Sequence, residues 1–234
     1  MPNAKITVKD VGKKIISEYS FVLSFILLVI IAASVNKNFF TWTNISNIFV
    51  QSSMIGLIAM GMSMVISAGQ IDISVGSQVA FIGGFGILVL NYTRSVWVML
   101  AFCCAVGIAL GAINGLLVTK GGMPSMIATM AMQSACRSVI NHFGSGGPFT
   151  VDSELYESFR MLAVGGIEIG PSFKIPYLMI IFIVFVIIFD NIMRNTKLGK
   201  HVYAVGSNEV SARLSGINVD LVKTLTFVIT GLMC

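Results

Sequence analysis

The sequence predicts an all-α, polytopic membrane helix bundle, and three observations carry that reading. Of its 234 residues, 56% are hydrophobic and 11% charged, whereas a soluble domain carries about 25% charged residues to wet its surface. The apolar residues gather into stretches about as long as a helix needs to cross a bilayer, roughly 20 residues. Lys and Arg, finally, are unevenly divided between the segments that join those stretches. The same composition excludes a disordered chain and a disulfide-stapled secreted scaffold. A net charge of +5 without any dense basic run gives no stripe for phosphates, so nucleic acid is not an expected partner.

Six stretches qualify as spans, roughly 19–35, 48–68, 73–90, 96–118, 125–142 and 175–193, and a seventh begins at Leu221. In hydrocarbon each backbone group must be paired within the structure, so each stretch is read as a helix. No stretch reads as alternating at period two, which excludes a transmembrane β-barrel. With the N-terminus inside, ten basic residues fall in inner segments: Lys5, Lys9, Lys13, Lys14, Lys120, Arg194, Lys197, Lys200, Arg213 and Lys223. Four fall outside, Lys37, Arg94, Arg160 and Lys174, and Arg137 lies within the fifth stretch. That bias orients the chain N-in. Trp42, Tyr92, Trp97 and Tyr177 sit at outer span ends, where amphipathic rings anchor to headgroups. The first stretch follows Lys13 and Lys14 as a signal peptide would, but further spans follow at once, so an uncleaved helix is expected.

The domain reading is a single transmembrane domain over 1–234, with 1–18 as a cytoplasmic N-terminal segment. Residues 143–174 form an extracytoplasmic segment made acidic by Asp152, Glu154, Glu157 and Glu168, and 195–220 form a basic cytoplasmic loop. From Leu221 to Cys234 the seventh stretch has 14 residues, about 21 Å of helix at 1.5 Å per residue and short of a bilayer. A truncated or incomplete chain that lacks its C-terminal spans is therefore expected.

Little in the sequence supports catalysis. The GxxxxGK[ST] phosphate loop is missing, so nucleotide hydrolysis by that route is not expected. His142 and His201 lie on opposite sides of the membrane and cannot share a metal or a base role. Cys103, Cys104, Cys136 and Cys234 lack zinc spacing and read as small apolar packers. No catalytic or metal-ligating residue is assigned. Gly107, Gly111 and Gly115 recur every four residues and read as a stripe for close helix packing.

Two kinds of residue remain as functional candidates. Polar side chains inside the spans would suit a wet path for a hydroxyl-rich solute. Gln51, Ser53, Asp72, Ser74 and Asn114 are nominated for it; Ser77, Gln78, Thr129, Gln133 and Ser134 read more simply as helix–helix hydrogen bonding. Asp72, between Gly69 and Gly76, is read either as a loop aspartate capping the third span or as a group beside the solute path. The second candidate is "GSNEVSARLSGINV" (206–219). Asn208 is a good N-cap, Glu209 follows near the positive helix end, and Gly216 can take the left-handed stop. Val210 and Leu214 are four apart on one face, and two turns of helix are not stable alone in water. That face must lie on headgroups or enter a groove on a partner, and the residues leave both readings open.

Three motifs in order resemble the permease subunits of ribose-type ABC sugar importers. "NTKLGKHVYAVGSNEVSARLSGINV" (195–219) is similar to that family's cytoplasmic loop. "GMSMVISAGQIDISVGS" (61–77) resembles its second-to-third span junction and "GAINGLLVTKGGMPSMIATMAM" (111–132) its fourth-to-fifth. Lys200 stands where the family usually has arginine, and Ser125 where phenylalanine is common. The resemblance implies a bacterial inner-membrane permease that pairs with a second permease copy and docks cytoplasmic ATP-binding subunits. It also implies an extracytoplasmic sugar-binding protein that delivers a monosaccharide. ATP and magnesium would bind the partner subunits, with no cofactor on this chain. Asn208, Glu209, Val210, Ala212, Arg213, Leu214, Ser215, Gly216 and Ile217 then match the coupling helix. The alternatives from other classes are an ion-coupled carrier or facilitator, dependent on Asp72 or Arg137, and a non-transporting remnant.

Overall fold

The computed structural model describes residues 8–170 and 173–234. The chain divides into two compact units, Met1–Ile48 and Phe49–Cys234. In the first, helix α1 (Val8–Val35) carries its apolar run over Ser20–Val35. The turn after it is closed by its own polar side chains. Asn36 Oδ1 accepts from Asn38 N at 2.9 Å, and Asn44 Nδ2 donates to Phe39 O at 2.8 Å. Helix α2 (Trp42–Ser67) starts here and continues into the second unit.

In the second unit the order is α3 (Val75–Thr93), α4 (Val96–Thr119), α5 (Ser125–Phe143), α6 (Tyr156–Val164), strands β1 (Gly166–Gly170) and β2 (Phe173–Pro176), α7 (Tyr177–Asn195), α8 (Lys197–Ser207), α9 (Glu209–Leu214) and α10 (Val219–Met233). Each stretch expected to span is a helix. Four of them, α2, α3, α4 and α7, are both long and apolar enough to cross a membrane. Helix α5 has the length but carries Gln133, Ser134, Arg137 and Asn141. The helix expected from Leu221 begins two residues earlier because Asn218 caps it, accepting from Leu221 N at 3.0 Å.

The tightest packing is α10 along α4. An added Cβ on Gly111 would stand 2.8 Å from Val228 Cα, and one on Gly115 2.8 Å from Thr224 Cα. The Gly231 carbonyl lies directly over Gly107. The glycine stripe therefore admits a neighbouring backbone, as its spacing predicts. Helix α3 packs on α4 and α5, with Phe85 between Phe81 and Phe143 at ring-centroid distances of 4.6 and 5.3 Å. Two hydrophobic clusters are buried. Met64 of α2 and Ala68, just past its end, meet Met193, Val202, Val205, Ala212, Val219 and Val222; Val65 meets Val118, Ala128 and Phe227.

Both ends of the bundle are tied in the alternation that the spans require. At one end Asn91 Nδ2 donates to Thr150 O at 2.9 Å and Asn91 Oδ1 accepts from Asp152 N at 3.1 Å. Arg94 pairs there with Glu154 and Asp152. At the other end Ser125 Oγ accepts from Ile71 N at 3.2 Å, Thr119 and Thr224 hydroxyls lie 3.3 Å apart, and Gly206 of α8 rests against the Ser67 carbonyl. By contrast α7 exposes Ile181, Ile183, Val184, Phe185, Val186, Ile187 and Ile188. An apolar face of that size suits hydrocarbon and not water.

The two long connecting segments hold more structure than the sequence predicts for them. Residues 143–174 contain α6 and enter a β-hairpin, with Ile167 opposite Ile175 and Glu168 opposite Lys174. The apolar–acidic–apolar order of Ile167, Glu168 and Ile169 is a short period-two alternation, which corrects the expectation that no stretch alternates. Residues 195–220 contain α8 as well as the expected short helix. Thr196 caps α8, accepting from Gly199 N at 3.4 Å, and Val202 and Val205 are its buried face.

Candidate functional site

Two groups of nominated residues take their places in this fold. The first is α9 with its flanks. Asn208 Oδ1 accepts from Ser211 N at 2.9 Å, which satisfies one of the orphan donors at the helix start. Gly216, at φ +79°, makes the left-handed turn that ends it, and Ile217 N donates back to Ala212 O at 3.1 Å. Ala212 is 4% exposed and faces the core together with Val219 and Val222, and Ile217 packs on the same cluster. Ser215 Oγ donates to Ser211 O at 2.9 Å.

The charged residues of α9 are bound to α10. Lys223 Nζ donates to Glu209 Oε2 at 2.7 Å, and Arg213 Nη2 donates to Asp220 Oδ1 at 3.0 Å and to Glu209 Oε1 at 3.4 Å. The hydrogen bond from Lys223 holds the Glu209 carboxyl below the usual glutamate range, with Arg213 adding to it. The Asp220 carboxylate raises the Arg213 guanidinium above its ordinary value. Beside these paired charges α9 leaves two large apolar side chains open: Val210 is 69% exposed and Leu214 85%. The nine nominated residues thus divide by role. Val210 and Leu214 face outward, Glu209 and Arg213 fasten the helix, Ala212 and Ile217 seat it, and Asn208, Ser215 and Gly216 shape its ends.

The second group lies where α2 passes into α3. Gly69, at φ +73°, turns the chain out of α2, and residues 70–74 run without helix to Val75. Ser74 is the hub of a buried polar knot. Its Oγ donates to Asp72 Oδ1 at 2.5 Å and accepts from Gln78 Nε2 at 2.6 Å and Asn114 Nδ2 at 2.9 Å. Its N–H also reaches Asp72 Oδ1 at 2.8 Å, and Ile73 N donates to Thr129 Oγ1 at 3.2 Å. Asp72 therefore closes the turn ahead of α3 while α3, α4 and α5 are joined through side chains. Asp72, Ser74, Gln78, Asn114 and Thr129 are all buried. Asp72 Oδ2, Gln78 Oε1 and Asn114 Oδ1 are buried oxygens with no donor among the described residues.

Of the five residues nominated for a path, Asp72, Ser74 and Asn114 come together in this knot. Ser53 does not join them; its hydroxyl returns to Phe49 O at 2.6 Å. Gln51 is exposed on α2. Gln78 and Thr129 belong to the knot although in sequence they read as packing residues. The signal for Gln78 is its place four residues after Ser74, one helical turn on.

An open cleft of about 380 Å³ lies between α6 and β2, lined by Glu157, Arg160, Met161, Val164 and Lys174 among others. No group of three or more His, Cys, Asp or Glu able to hold a metal occurs among the described residues.

Comparison with known proteins gives the frame for these sites. The family model described as branched-chain amino acid transport system / permease component matches residues 44–234. The ribose import permease protein RbsC of Escherichia coli (strain K12) is 33% identical over 221 residues, 92% of this chain and 66% of that protein. RbsC of Bacillus subtilis (strain 168) is 35% identical over 213 residues, covering 90% and 64%. The L-arabinose ABC transporter permease protein AraH of Azospirillum brasilense is 31% identical over 220 residues, covering 94% and 62%. The chain thus spans about two thirds of the length of these relatives. No solved structure matches it. A match over residues 44–234, together with the helical order described above, shows that the chain belongs to the family of membrane permease components of branched-chain amino acid transport systems.

Proposed function

We propose that this chain is the membrane-spanning permease subunit of an ATP-driven importer of a monosaccharide, worked by separate ATPase subunits. The observation that carries the reading is α9, whose charges are paired to α10 while Val210 and Leu214 stand exposed at its tip. An apolar tip on a helix fastened from behind fits a groove on a soluble partner, which would cover what water cannot. A groove that closes with ATP would push on Val210 and Leu214, and the ion pairs would carry that push into α10. The partner must interact differently with the two states of the bundle for the equilibrium to shift. A second permease copy and an external sugar-binding protein complete the assembly. The relatives' names, ribose and arabinose permeases, support a sugar as the solute.

The test is co-purification and uptake in the natural full-length protein with its ATPase. Replacing Leu214→Glu should abolish both ATPase retention and sugar uptake while the permease remains in the membrane. Sugar accumulation by vesicles containing the permease without ATPase would overturn the reading in favour of an ion-coupled carrier.

A further inference from the structure

Helix α5 exposes apolar Ile127 and Met130 on its first half, but on its second half it exposes the wrong chemistry for lipid. It packs on α3 with the Ile140 side chain over Gly84, and Cys136 is buried one turn before. Away from that contact, Ser134, Arg137, Ser138 and Asn141 recur at spacings of three and four and are all exposed, so they share one face of the helix. Among the described residues nothing pairs with the Arg137 guanidinium, and Ser134 Oγ reaches only the Met130 carbonyl at 3.1 Å. The exposed face of α7 is entirely aliphatic and aromatic over 183–188, so the two helices are built for different surroundings. An arginine near the outer end alone could reach the headgroups by its long stem. Ser134 lies a turn deeper and has no such reach. Ser134 is satisfied by its own helix, but the Arg137 guanidinium is not. A face that carries an unpaired charge is placed toward water, because hydrocarbon offers it no partner.

Resting on the importer reading, we propose that the outer half of α5 is a wall of the aqueous path, presenting Ser134, Arg137, Ser138 and Asn141 to a neutral polyhydroxyl solute. Hydroxyls, an amide and a guanidinium supply donors and acceptors to sugar hydroxyls. The buried knot around Ser74 is then a fastening at the inner end of α5 and not a surface the solute touches.

The test uses single cysteines in the reconstituted full-length protein, with Cys103, Cys104, Cys136 and Cys234 replaced, and a charged membrane-impermeant thiosulfonate added from outside. Ser134→Cys, Ser138→Cys and Asn141→Cys should react about tenfold faster than Val186→Cys on the lipid-suited face of α7. Rates at Ser134 and Ser138 no higher than at Val186 would overturn the proposal, as would spontaneous disulfides between two copies through Ser138→Cys, which would mean that a second chain covers the face. Reactivity is read without uptake, so inert positions in a protein that still accumulates sugar with its ATPase would sink this inference alone. Reactive positions in a protein that transports without the ATPase would instead sink the importer reading.

Discussion

The Lys223 ammonium on α10 lies 2.7 Å from the Glu209 carboxylate on the first residue of α9, and the lysine side chain is 12% exposed. One pair thus links the short helix α9 to a helix that runs back into the bundle. Exposed ion pairs contribute little, up to about 1 kcal/mol, but this one has a mechanical position. Replacing Lys223→Met keeps the buried stem and removes the link. Thermal stability should change by at most about 1 kcal/mol, while the ATPase rate should become insensitive to sugar delivery. Sugar-stimulated hydrolysis, measured beside unfolding, checks this.

The same pair sets a pH dependence. The folded-state Glu209 carboxyl is held below its ordinary value, so its contribution is present above the unfolded glutamate value, about 4.3. It is lost as pH falls through the depressed folded value. A nitroxide at Leu214→Cys, in a background lacking the four native cysteines, should report an ordered α9 at neutral pH and rising mobility only below about pH 4.3. Mobility that rises already near neutrality would contradict the assignment.

Glycines on two helices should respond oppositely to the same change. Gly111→Ala puts a methyl 2.8 Å from Val228 Cα, where backbone must move, whereas a Cβ on Gly83 of α3 meets nothing within 4 Å. The first should destabilise by about 1–3 kcal/mol, as overpacking does. The second should be neutral or slightly stabilising, by up to about 1 kcal/mol, because alanine is the better helix former. Melting temperatures of the two variants in one detergent decide it.

In the knot, Ser74→Ala removes one donor and one acceptor that serve Asp72, Gln78 and Asn114 together. Buried groups left without partners cost about 1–3 kcal/mol each, so loss of the hub should cost at least about 2 kcal/mol. Ser53→Ala, which only breaks a bond to its own helix at Phe49, should cost under about 1 kcal/mol. Equal effects in a denaturation series would remove Ser74 from its central role.

Asp72→Asn should be tolerated, because the side-chain oxygen that accepts from Ser74 N and Oγ is kept. Its new amide donor replaces the unpartnered Oδ2, in a knot where Gln78 Oε1 and Asn114 Oδ1 also lack a donor. Asp72→Leu loses the turn and should fail to accumulate in the membrane. Expression level and melting temperature of the two variants separate these outcomes.

Much of this arrangement is legible in the residues alone, for identifiable reasons. Length and hydropathy place the helices because a bilayer permits few alternatives, and Asn208 and Gly216 mark both ends of α9 through local hydrogen bonding and a positive φ. Helix α8 reads as loop because Gly199 and Gly206 interrupt its pattern, although Val202 and Val205 lie on one face. Gly206 is there so that α8 can approach the end of α2, a long-range contact that no local window reveals. The hairpin is hidden for a similar reason: Ile167 and Ile175 satisfy a cross-strand register that exists only once the turn has formed. The knot is half visible. Asp72, Ser74 and Asn114 stand out as polar groups among apolar ones, but their convergence across 42 positions of sequence depends on how α3 and α4 pack. Glu209 and Arg213 read as contacts for a partner because their own partners, Lys223 and Asp220, lie at or beyond the loop's end.

The seam between α4 and α10 joins main chain to main chain, with Gly107, Gly111 and Gly115 giving no side chain that could swing aside. Soft seams absorb a small displacement by letting rotamers hop. At its three glycines α4 has nothing to hop, so whatever tilts α10 must tilt α4 with it, and the pair behaves as a single stiff rod within the bundle.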